Sequence, residues 1–143
     1  MNNNIFKPHG AFLARYEGRI LVQHIEGPWN EQMVAQWAPA LAPFAAELEA
    51  GGAWAALAVF HRSVLTSPEA FKRMRKAIEY STRRMKVVAH AVVAATDVEG
   101  QLFAKSILEP VYRGLTPIGF FTTQEEAEPW LYHFIDEAQS PLP

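Results

Sequence analysis

The sequence predicts one α/β domain: an antiparallel hairpin opens a four- or five-stranded sheet, parallel strands follow in a βα superhelix, and helices lie mainly on one face. Three observations carry this. Two strand-like runs, residues 10–16 and 19–26, flank Glu17-Gly18, a short turn signal of hairpin type. Two further runs, residues 54–60 and 87–95, are apolar on both alternating sets, the pattern of strands covered on both sides. Between and after them, apolar residues recur at three and four positions, and alternation of strand with helix demands right-handed parallel crossovers.

Each element has a local reason. Gly27-Pro28-Trp29-Asn30 stops the second strand, and Asn30 can cap a helix carrying Met33, Val34 and Trp37. Pro39 and Pro43 are expected to kink or divide that helix before it resumes through Phe44 and Leu48 and ends at Gly51-Gly52. Residues 54–60 then form a central parallel strand. From Pro68, the stripe Phe71, Met74, Ile78 sets one apolar helix face, with Lys72, Arg73, Arg75 and Lys76 around it. After the strand at 87–95, residues 101–112 read as a helix stopped near Gly114, and 118–121 as a last short strand. Thr123 with Glu126 makes a capping box for the terminal helix, where Pro129 is expected to cause local irregularity. No internal repeat or second domain boundary occurs, so residues 1–143 read as one domain, with 1–9 as an extension and 138–143 as a tail.

Composition narrows the function classes. The chain holds 143 residues, 50% hydrophobic and 20% charged, enough for a real core. It has no Cys, which excludes disulfides, thiolate metal sites and a Cys nucleophile and suits a reducing cytoplasm. The N-terminal residues lack the apolar stretch of a signal peptide, and no apolar run approaches the roughly 18 residues of a membrane span. A soluble cytoplasmic protein is the expectation. Charge is split: residues 61–86 carry eight basic against two acidic residues, and residues 97–137 carry eight acidic against two basic. That dipolar surface points to an acidic protein partner; no nucleic-acid partner is expected.

Residues 18–22 leading into Gly27-Pro28, the buried run 54–60, and Phe121-Thr122-Thr123-Gln124-Glu125-Glu126-Ala127 with Trp130-Leu131 together resemble the STAS and SpoIIAA-like family. The resemblance spans about residues 10–135 and rests on pattern and element order. It implies a sheet with helices packed on one side and a bacterial, non-enzymatic regulatory or protein-interaction module. The same fold group includes the CRAL-TRIO lipid-binding domains, which implies lipid or small-ligand binding as the alternative. The family's phosphoacceptor lies in an Asp-Ser-Ser-Gly motif at the start of the helix after the third strand. The matching place here reads Thr66-Ser67-Pro68-Glu69, so the resemblance makes Ser67 or Thr66 the phosphoacceptor. A phosphate there would meet free N–H groups and the positive helix end, with Arg62 or Lys72 to pair it. The same residues also make an ordinary helix start, with Ser67 as N-cap and Pro68 at N1.

No GxGxxG, P-loop, GxSxG or HExxH motif occurs, and no cofactor, metal or catalytic residue is assigned. Loops at the carboxyl ends of parallel strands are where such sheets bind ligands, which selects Trp29 and Asn30, then His61, Arg62 and Ser63, then Thr96 and Asp97, then Thr122. The basic residues Lys72, Arg73, Arg75 and Lys76 join Trp29, Asn30, His61, Arg62 and Ser63 as candidate contacts for a partner or ligand. His61, Ser63 and Asp97 supply the residue types of a hydrolytic triad, though without a nucleophile elbow. His24 and His90 fall inside strands and could face one another if the registers allow; core or interface roles are the commoner fate of such residues. Finally, helices on one side leave an apolar sheet face, which predicts a twofold homodimer unless residues 5–8 or the helix at 30–50 cover it.

Overall fold

The computed structural model describes residues 11–139. Strands β1 (Ala11–Glu17) and β2 (Ile20–Glu26) form the antiparallel hairpin; helix α1 (Glu31–Ala50), β3 (Trp54–His61), α2 (Pro68–Arg84), β4 (Val87–Ala94), α3 (Ala104–Tyr112), β5 (Ile118–Phe121) and α4 (Gln124–Gln139) follow. The five strands lie in chain order, antiparallel at β1–β2 and parallel from there on. This is the mixed α/β sheet the sequence predicts, with β3 at its centre. The hairpin turn is Gly18-Arg19, one residue later than expected, because Glu17 pairs with Ile20. Gly18 takes φ +59, a value that favours glycine and closes a two-residue turn.

Pro39 and Pro43 do not divide α1, which runs as one helix of 20 residues. Each proline withholds one N–H from the carbonyl four residues earlier, Ala35 and Pro39 respectively. Ala35, Pro39 and Pro43 all lie on the exposed side, where water can serve those carbonyls. Pro129 is likewise exposed and is accommodated within a continuous α4. The helix expected over 101–112 instead begins as one tight turn, Gln101–Phe103, before α3.

Helices α1, α2 and α3 pack on one face, burying Ile25, Phe60, Val92 and Ala94 with Met33, Met74 and Leu108. Among the described residues, helix α4 alone lies on the other. Its Ala127, Leu131 and Ile135, four residues apart on one stripe, pack on Val22, Leu57, Ala91 and Val93. The predicted apolar face therefore exists, but its cover is α4 of the same chain. Helix α1 sits on the opposite face, and residues 5–8 lie outside the described residues. The premise for a twofold dimer, a bare apolar sheet, is largely removed; on that face Leu13 of β1 remains 63% exposed.

One irregularity decides the chemistry of the helix-covered face. Trp54 pairs with Val87 and Ala56 with His90, so β4 advances three residues where β3 advances two. The extra residue places Val88 and Ala89 together against α4, while Val87 and His90 both point to the α1–α3 side.

Candidate functional site

Several loop residues singled out by strand-end reasoning make contacts within the fold. Trp29 is 3% exposed and packs edge-on against Phe71 with ring centroids 5.6 Å apart; its indole nitrogen is buried without a partner. The Asn30 side chain accepts the Met33 N–H at 3.0 Å as the N-cap of α1. Ser67 does the same for α2, accepting the Ala70 N–H at 3.1 Å with Pro68 in the first turn. The Thr66 hydroxyl donates to the Trp29 carbonyl at 2.5 Å. Replacing Ser67 by Ala should lower stability by about 1 kcal/mol, the usual worth of a cap, measured by urea unfolding; no change would show that Pro68 alone sets the helix start.

The triad types are not assembled. Ser63 is 1% exposed and its oxygen accepts the Leu65 N–H at 3.0 Å. His61 instead stacks on His24, Nδ1 of His24 lying 2.8 Å from Nε2 of His61. Burial, then the neighbouring His61 and Arg15, hold His24 below its ordinary pKa. His24 and His90 point to opposite faces, so they do not meet. Among the described residues, no group of three or more His, Cys, Asp or Glu is placed to hold a metal ion. Arg62 takes a positive φ of 70 while its carbonyl accepts the Glu99 N–H at 2.8 Å.

The basic helix is partly engaged within the chain. Arg73 pairs with Glu31 of α1 at 3.3 Å, and Arg75 pairs with Glu79 while donating to the carbonyls of Pro110, Val111 and Arg113 that end α3. Lys72 and Lys76 stay exposed along an open groove floored by Phe71, Ile107, Pro110 and Val111.

A different site was not anticipated. Between α1 and α2, above the sheet, lies a cavity of about 320 Å³. It exists because residues at the junction are small: Ala38, Ala42 and Ala45 on α1, Ala56 on β3 and Ala77 on α2 leave room that larger side chains would fill. Trp37, Leu41, Trp54, Met74, Ile78 and Met85 make apolar walls. Polar side chains interrupt them: Tyr80 and Ser81 on α2, and three that are buried, Gln23, 6% exposed, His90, 5% exposed, and Tyr112, 2% exposed. His90 Nδ1 is 2.6 Å from the Thr116 hydroxyl, which in turn donates to the Pro117 carbonyl at 3.2 Å. That leaves Nδ1 as the donor and Nε2 as the bare acceptor of a neutral ring. Burial pushes the His90 pKa down to about 4 and the Tyr112 phenol well above its ordinary value, so both are uncharged at neutral pH. Sequence signals were faint: a Gln among β2 apolars and an alanine-rich α1. No family model, curated protein or solved structure matches the chain.

Proposed function

We propose that the chain is a non-enzymatic binding protein whose ligand is a small, largely apolar molecule held between α1 and α2. The observation that carries this is the cavity: its volume lies within the usual range for ligand sites, its walls are apolar, and a few polar groups converge on it. A STAS-like membership remains part of the reading, supported by element order, and a cytoplasmic setting is supported by the absence of cysteine. Trp37 and Trp54 line the walls, so intrinsic fluorescence can report occupancy. Titration with 1-decanol should give a saturable change, and Ala77→Phe, which fills the space from α2, should weaken it at least about tenfold. A folded Ala77→Phe protein that binds 1-decanol as well as the parent would place the ligand elsewhere.

A second reading, a regulatory module with an acidic protein partner, is favoured by Lys72 and Lys76 flanking the apolar groove between α2 and α3. It is tested with a synthetic acidic amphipathic peptide. Binding should weaken with salt and vanish in Lys72→Glu/Lys76→Glu.

A further inference from the structure

We infer that the α1–α2 cavity selects uncharged ligands bearing a hydroxyl or carbonyl group on an apolar body and discriminates against ionised ones. The inference rests on the cavity being the ligand site. No Lys, Arg, Asp or Glu lines it, so a carboxylate or ammonium entering would lose its water with nothing of opposite charge in return. Two of the polar groups that line it, both neutral, lie on the sheet. Gln23 on β2 pairs with Ala58 of β3 and His90 on β4 with Ala56, so the two lie two strand spacings apart and two residues offset along the strands, roughly 12 Å. Among the described residues no protein group takes up the Gln23 side-chain amide, and the His90 ring keeps one nitrogen for a ligand proton. A molecule crossing β3 obliquely between His90 and Gln23 therefore meets a donor and an acceptor, which suits a hydroxyl or a carbonyl. The volume equals that of about ten liquid water molecules, which sets a ligand of about ten to fifteen non-hydrogen atoms. Lys72 and Lys76 line the separate α2–α3 groove rather than the cavity.

The test compares 1-decanol, 2-decanone, decanoate and decylammonium at about pH 8, where the acid is ionised and the amine protonated. The alcohol and the ketone should bind, and each ion should bind at least about tenfold more weakly, since an ionic head has to stay at the mouth. Gln23→Leu, close to Gln in size, should weaken the alcohol and the ketone about three- to tenfold while leaving the residual binding of decanoate unchanged. Equal affinity for neutral and ionised probes would overturn the selectivity while leaving the cavity as the site. Neutral probes indifferent to Gln23→Leu would overturn the role of the polar floor. If none of the four probes binds, the cavity reading itself falls, and this inference with it.

Discussion

Leu131→Ala should cost about 2–5 kcal/mol of unfolding free energy, the range for truncating a fully buried leucine. Leu131 is 0% exposed at the middle of the α4 stripe, between Ala127 and Ile135, against Val22, Leu57, Ala91 and Val93. Because α4 is the only helix on that face among the described residues, its loosening also uncovers apolar sheet. The variant should therefore associate in a concentration-dependent way in sedimentation experiments while the parent stays monomeric at micromolar concentration. A loss under about 1 kcal/mol, or a parent already dimeric through this face, would show that α4 is not what covers it.

Acidification should destabilise the protein through His90. Its folded pKa is lowered to about 4 from an ordinary 6.5, so the unfolded chain takes up a proton over a range where the folded chain refuses it. The contribution is complete above about pH 6.5, is lost as pH falls toward about 4, and changes no further below that, when both states are protonated. The full difference is about 3 kcal/mol. His24 is shifted the same way and adds a slope of its own, so the decisive quantity is the difference between the parent and His90→Gln, whose amide can still bond Thr116. Urea unfolding at several pH values should show the parent losing about 3 kcal/mol relative to His90→Gln as pH falls through this window. Parallel curves would mean that His90 is protonated or well hydrated in the folded state.

The parts of the fold legible in the sequence are those whose cause is local. Asn30, Ser67 and Thr123 each precede a helix they cap, and each accepts the N–H three residues on. The Glu17-Gly18 signal lies within one residue of the turn, and the two runs apolar on both sides are β3 and β4. The strand-end loops were legible as places but not as chemistry. Trp29 and Ser63 supply the right residue types, yet packing and a backbone N–H occupy them.

By itself, then, the sequence determined which segments are strands and helices, their order, and which stripe of each is apolar, because period-two and period-3.6 patterns are properties of neighbouring residues. Tertiary structure decided which face each stripe meets. Helix α4 carries a stripe that would suit either side of the sheet, and only its placement opposite α1–α3 closes the apolar face. One additional residue in β4 turned His90 toward α1–α3 rather than toward α4, a change that no reading of strict alternation contains. The cavity arose in the same way, since alanines far apart in the chain leave a void only when two helices and a strand bring them to one place, and a void is a property of the packed volume rather than of any segment.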